Sequence, residues 1–239
     1  MSIFYCDFET LQKLLEEKKA NAGDEMLKEY VNSRDIYNRT PLHMHSYGMS
    51  VEALINAGAD VYAQKDGETP LRWPKDERAI EALINAVRVK GGIKEVYDYV
   101  NTRDNTNYNC TPLHWQKDGR AVKALIKAGA DVNARNGYNS TPLHWCKDEE
   151  AIEALLTAGA NINAKNDGDT TPLDDPYIFK VYRNVMVKRL QKFCKKNFRY
   201  FVFKHWIKSL EGAEWLYHPK RGGKYIQKKM LVDLGKIKQ

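Results

Sequence analysis

Residues 141–166, TPLHWCKDEEAIEALLTAGANINAKN, decide the fold. Thr141 precedes Pro142, and an apolar pattern begins at Leu143. A threonine hydroxyl at a helix N-cap accepts from the first unpaired helical N–H groups, for ~1 kcal/mol. Proline suits the next position, where its missing N–H would have had no intrahelical partner. A helix is therefore predicted from Pro142. It is short, because Lys147 and Asp148 follow after two turns and Asp148 can cap a second helix. That second helix, AIEALLTA, sets Ile152, Leu155 and Leu156 on one face. Ala151, Ala154 and Ala158 are small enough to let a neighbouring helix come close. Gly159 ends the helix, since glycine accepts the left-handed C′ conformation at little cost. An extended stretch and a polar turn lead to the next Thr-Pro.

Such a unit is two short antiparallel helices and a turn. It cannot bury its apolar face alone, but stacked copies can, so a repeat implies a solenoid. Thr-Pro-Leu starts at Thr40, Thr69, Thr111, Thr141 and Thr171, with spacings of 29, 42, 30 and 30 residues. A second marker keeps step with it: Val31, Val61, Val100, Val132 and Ile162.

The pattern resembles the ankyrin repeat. The matching residues are TPLH at 40–43, 111–114 and 141–144, the apolar cores at 53–55, 83–84, 124–126 and 154–156, and the closing GADV or GANI at 58–61, 129–132 and 159–162. The resemblance spans residues 30–173 and implies an all-α, ankyrin-like helical solenoid of four repeats plus a partial fifth, with a helical C-terminal extension. The units are shorter than the usual ~33 residues, with the missing residues between the helices. The second unit has TPLRW, with Arg72 in place of histidine. The fifth has TPLDDP, where Pro176 disfavours a normal first helix. The expected organisation is N-terminal capping helices over 1–39, repeats over 40–176 (40–68, 69–110, 111–140, 141–170 and a partial 171–176), and a basic helical region over 177–239.

In the cap, Asp7 can start a helix with Leu11, Leu14 and Leu15 facing inward. The unit 69–110 is stretched, running on through 87–99 where a glycine cap is expected. The stretch is a longer second helix, a surface loop, or a protrusion for a partner. Tyr-Val-Asn-Ser-Arg-Asp at 30–35 matches Tyr-Val-Asn-Thr-Arg-Asp at 99–104, so the cap reads as a worn copy of the long unit. From Tyr177 to about Leu210, apolar residues recur at helical spacing with basic residues between them.

Hydrophobic content of 43% suits a globular chain. No apolar run approaches the ~18 residues of a membrane span. The N-terminus lacks the basic start and apolar core of a signal peptide. Cys6, Cys110, Cys146 and Cys194 form no CxxC pair, which suits free thiols in a reducing, intracellular and cytoplasmic setting. Charge is unevenly placed: residues 177–239 hold 17 Lys and Arg against three Asp and Glu, and residues 1–176 hold 21 against 28. A strongly basic end on a mildly acidic body hints at an anionic partner.

The histidines of TPLH (His43, His114, His144) invite a metal or acid–base reading. No carboxylate or cysteine joins them at ligand spacing, and the resemblance implies that they bond neighbouring backbone to hold the turn. No metal, cofactor or catalytic residue is expected. An enzyme site around His205, His218 and Glu214 has almost no sequence support. After the histidines stand Trp115 and Trp145, with Trp73 at the same place in the second unit and Met44 in the first. The resemblance puts these residues on the concave surface, either in packing between units or as an aromatic stripe for a partner protein. The next positions, His45, Pro74, Gln116 and Cys146, vary, as outward-facing residues would.

At the turn tips, Asn38, Gly67, Asn109, Asn139 and Asp169 are types that tolerate positive φ. Tyr37, Tyr108 and Tyr138 precede three of them, and nothing about the turn requires tyrosine there. They are a candidate contact line, with solvated decoration as the alternative. In the tail, Lys188, Arg189, Lys192, Lys195, Lys196 and Arg199 are interleaved with Phe193, Phe198 and Tyr200. They suit a helix covering the last repeat, or an anion-binding face for nucleic acid or an anionic surface. The same cluster can encode nuclear import. Residues 190–196 bear a slight likeness to a calmodulin-binding IQ motif. The ending of the chain is faintly similar to tails of giant DNA virus proteins, which would put the protein in a host cytoplasm. The preferred function is a protein–protein interaction scaffold without catalysis, and the alternative is nucleic-acid or anionic-surface binding through the tail.

Overall fold

The computed structural model describes residues 2–196. The described part is all-helical, and its one extended pairing is an isolated bridge between Lys65 and Glu68. The helices are α1 (Phe8–Val31), α2 (Pro41–Met44), α3 (Gly48–Asn56), α4 (Glu77–Val100), α5 (Pro112–Trp115), α6 (Gly119–Lys127), α7 (Pro142–Trp145), α8 (Glu149–Thr157) and α9 (Pro176–Lys196). Tight helical turns at Pro70–Arg72 and Pro172–Asp174 hold the places of the missing short helices. The chain divides into two compact units, Met1–Pro172 and Leu173–Gln239.

The starts predicted from Thr-Pro are where the helices begin. At Thr40, Thr111 and Thr141 a capping box closes the turn, and proline takes the first helical position. Asp118 and Asp148 cap the second helices through the N–H groups of Ala121 and Ala151. Gly58, Gly129 and Gly159 follow those helices with φ of 92°, 96° and 93°, the left-handed conformation that releases the chain into the extended stretch. The second helices stack in series, α3 on α4, α4 on α6 and α6 on α8, and the short first helices form their own row. Between the rows lie Leu54, Leu83, Leu125 and Leu155, all fully buried. Burial of each aliphatic side chain is worth about 1.5–3 kcal/mol.

The cap and the long unit share one shape. Both α1 and α4 span 24 residues, and each is interrupted by a glycine at the same place. Gly23 has φ 76° and ψ 178°, and Gly92 has φ 74° and ψ −162°. Asp7 and Asp76 cap the two through Thr10 and Ala79. The stretched unit is thus a longer second helix followed by a short third one, held by Val96, Tyr99 and Val100. The tyrosine hydroxyl of Tyr99 donates to the Val61 carbonyl at 2.8 Å.

One expectation is overturned. His45, Pro74, Gln116 and Cys146 face inward, not outward. His45 Nε2 meets the Ile3 carbonyl at 2.7 Å, and Gln116 donates to the carbonyls of Leu71 and Arg72 at 3.3 and 3.2 Å. The cause is local: each short helix ends after one turn, and the next residue is extended (φ −88° at His45, −74° at Gln116, −76° at Cys146). That swing aims His45 and Gln116 at the preceding unit.

Within the second compact unit, Asp175 receives the N–H groups of Tyr177 and Ile178 and so caps α9. Ile178, Val181 and Val185 share its buried face. The helix expected beyond Lys196, the virus-like ending, Arg199, His205, Glu214 and His218 lie outside the described residues.

Candidate functional site

The histidines explain why the turns are rigid. Thr111 N–H donates to His114 Nδ1 at 3.2 Å, so Nε2 carries the proton and reaches the Ser140 carbonyl at 3.1 Å. His43 meets Glu68 O in the same way at 3.3 Å, and His144 meets Thr170 O at 3.3 Å. Burial pushes the imidazoles of His43 and His114 down to about 4 and lowers that of His144. They are neutral inter-unit struts. Among the described residues, no group of three His, Cys, Asp or Glu could hold a metal ion.

Two further ladders run beside them. Asn101 Nδ2 donates to Gly129 O while its Oδ1 accepts from Asp131 N. Asn32 does the same with Gly58 and Asp60, and Asn133 with Gly159 and Asn161. Arg34, Arg103 and Arg135 each donate from Nη1 to their own turn and to the next, at Gln64, Arg135 and Lys165. Asn38, Asn109, Asn139 and Asp169 adopt positive φ, as does Gly67. With the tips fixed in this way, the side chains beside them are presented in register.

Four of the candidate aromatics come together. Trp115 and Trp145 meet edge to face with ring centroids 5.4 Å apart. Tyr108 touches Trp115 and Trp145 at 6.2 Å each and Tyr138 at 5.6 Å, again near-perpendicular. Such pairs are worth about 0.5–1.5 kcal/mol each beyond burial. The Arg72 guanidinium lies 3.9 Å from the Trp115 centroid and 4.8 Å from that of Trp73, so Arg72 joins Trp73 to the cluster. Asp104 accepts the Trp115 indole N–H at 3.4 Å. Tyr108 and Tyr138 stay 43% and 48% exposed, so the cluster keeps a solvent-facing aromatic surface.

Tyr37 is not part of it. It flanks Arg39, 4.8 Å from the guanidinium, with Tyr5 on the same cation at 6.0 Å. Asp35 pairs with Arg39 at 2.6 Å. Of the basic candidates, Lys188 and Arg189 are exposed on α9, and Lys192, Lys195 and Lys196 are on the same helix. Sequence reasoning treated Arg72 only as a departure from the repeat and passed over Arg39 and Tyr5. The usable signal at Arg72 was Glu68, four residues earlier, its ion-pair partner.

Arg72 changes its surroundings. Its charge is held against Glu68, whose side chain is 3% exposed. The histidine that would have met Thr69 is gone, and Thr69 Oγ1, Glu68 Oε2 and Trp73 Nε1 are buried without partners. One family model, described as ankyrin repeats, matches the chain in three copies over residues 76–166. Residues 76–166 are ankyrin repeats. The same struts and caps at Thr40–Gly58 extend the ankyrin pattern upstream of the matched span. The chain has no match among curated proteins. Ankyrin repeats are a general protein-binding module, typically non-catalytic. No helix among the described residues is long and apolar enough to cross a membrane.

Proposed function

We propose that this protein is a non-catalytic interaction scaffold whose main contact surface is the cluster of Arg72, Tyr108, Trp115, Tyr138 and Trp145. The observation that carries the reading is the gathering of Tyr108 and Tyr138 onto two tryptophans while half of each tyrosine stays in solvent. The turn needs positive φ at Asn109 and Asn139, and it does not need an aromatic before them. Tyrosine, tryptophan and arginine are the residues that dominate binding energy at protein interfaces. They offer large rigid area at low entropy cost.

A photo-crosslinking amino acid at Tyr138 in the full chain, followed by recovery from cells, identifies the partner. Binding of that partner should then fall by about 2 kcal/mol or more in Tyr108→Ala and Trp145→Ala. The thermal melt should stay cooperative. Unchanged affinity in both variants would remove the surface from the reading.

A second reading rests on charge. The 17 basic residues of 177–239 suit nucleic acid or another polyanion. Binding of the full chain to single-stranded nucleic acid would then weaken steeply as salt rises. Absence of binding at low salt rules this reading out.

A further inference from the structure

The cap and the long unit supply an internal control. Phe8 and Glu77 start helices of the same length, with breaks at Gly23 and Gly92. Ala20, Asp24 and Lys28 of the cap therefore correspond to Val89, Ile93 and Tyr97 of the long unit. The correspondence holds in space: Lys28 lies beside Gly58, and Tyr97 lies beside Gly129. One copy is small and charged at these positions. The other is apolar, with Val89 88% exposed, Ile93 83% and Tyr97 55%. The shared fold does not require apolar side chains there, and their exposure works against solubility.

Val89 also closes one end of a trough. It runs between the solvent faces of α3 and α4, with a volume of about 580 Å³. Ile55, Ala82, Ala86 and Val89 give it apolar lining, the Glu52–Arg78 ion pair lies along it, and Glu81 and Lys90 line it as well. Between α6 and α8 an equivalent ion pair, Lys123 with Glu150 at 2.7 Å, repeats that feature, so the pair does not set the trough apart. α4 continues past the point where α6 stops at Gly129, and this extra length carries Val89. The segment 88–95, RVKGGIKE, surrounds the two aliphatic residues with Arg88, Lys90 and Lys94 against the single acid Glu95.

We propose that this trough binds an amphipathic helix of another protein, acidic beside its apolar stripe. Two parallel helices with small residues between them receive a third helix by ridge-into-groove packing. Val89 in the trough, and Ile93 just past the break at Gly92, would meet the stripe. Arg88, Lys90 and Lys94 would face the acids and set the direction of docking. The site lies on α3 and α4, apart from the Trp115–Trp145 cluster, and stands independently of it.

The test uses the full chain and a phage-displayed library of amphipathic helices with randomised flanking charge. The counter-target is the chain with the cap's residues, Val89→Ala/Ile93→Asp/Tyr97→Lys. Clones enriched on the native chain should carry Asp or Glu beside the stripe. Their affinity should fall about tenfold or more on the counter-target. Val89→Ser/Ile93→Ser, which touches only exposed side chains, should lose binding with an unchanged melt, keeping the test valid if Tyr97→Lys disturbs folding. No enrichment, basic flanks, or equal affinity for both chains would overturn the proposal. So would phosphatidylserine vesicles or a self-dimer that bind through Val89 and Ile93 in place of the peptide.

Discussion

In residues 111–170 successive turns are joined by a histidine, an asparagine and an arginine, each bonding neutral backbone. Over residues 61–72 all three are replaced: Arg72 stands for histidine, Tyr62 for asparagine and Gln64 for arginine. The regular units are tied by many modest bonds of one kind. The long unit is tied to the one before it by the partly buried Glu68–Arg72 ion pair, by Tyr62 against Tyr99 at 5.7 Å, and by Lys90 over Tyr62 at the same distance. The regular units use their polar groups on each other. The long unit sends Arg72 out onto Trp115 and runs α4 past the usual stop. Its departures from the repeat therefore lie in the residues that feed both proposed surfaces.

The largest difference should appear on removing a charge. Glu68→Gln leaves Arg72 partly buried with its ion-pair partner gone, which costs about 3–5 kcal/mol. Cys110 occupies the place of Glu68 in the next unit, so His114→Arg buries a guanidinium with no acid at the equivalent position and should cost a similar amount. The double variant Glu68→Gln/Arg72→His restores the regular chemistry and should recover much of the loss. Urea unfolding of the native chain, these three variants and Arg72→His measures this. Additive costs in the double variant would mean that the ion pair is not what holds this turn.

Acid should act on the histidine struts. His43 and His114 have folded pKa values depressed to about 4 by burial, against about 6.5 in the unfolded chain. The unfolded state then binds more protons between these values, so stability is full above pH 6.5 and is lost as pH falls towards 4. Each imidazole contributes up to ~3 kcal/mol of this loss. His114→Asn should flatten the dependence between pH 6.5 and 4, whereas Arg72→Lys should leave that slope intact. An unchanged slope in His114→Asn would contradict the neutral-strut account.

Much of this was legible in the sequence. Thr-Pro announced each helix start because cap and first turn are local events. Asn and Asp before the threonines announced the positive φ values for the same reason. The inward direction of His45, Gln116 and Cys146 was not legible. A helix of four residues is too short for a 3.6-residue period to fix the facing of the residue after it. The clustering of Tyr108 with Trp145 was also out of reach, since it joins neighbouring units through the stacking distance. The Arg72–Glu68 pair was within reach, being four residues apart in sequence.

The glycine breaks allow a narrower comparison. Gly92 and Gly23 both sit at positive φ with extended ψ, a region almost closed to other residues, and a Cβ at either would meet nothing within 4 Å. Gly92→Ala should therefore cost about 1–3 kcal/mol from backbone strain alone, and Gly23→Ala should cost the same. A much larger cost at Gly92 would show that the long unit depends on its break more than the cap does.

The smallest effect separates the asparagine ladder from its exception. Asn133→Ala removes one bond given to Gly159 O at 3.2 Å and one received from Asn161 N at 2.7 Å. Both are exposed, so water takes over part of their role, and the loss should be about 1 kcal/mol. Tyr62→Asn copies the ladder residue into the long unit, yet it should bring no gain. The place that Gly129 and Gly159 take in their units is held here by Val87, buried inside α4, where no turn releases a carbonyl to the preceding unit. Losing the Tyr62–Tyr99 edge contact should instead cost about 0.5–1.5 kcal/mol. A stabilising Tyr62→Asn, read by thermal melting beside Asn133→Ala, would mean that α4 can open at Val87 and accept the regular tie.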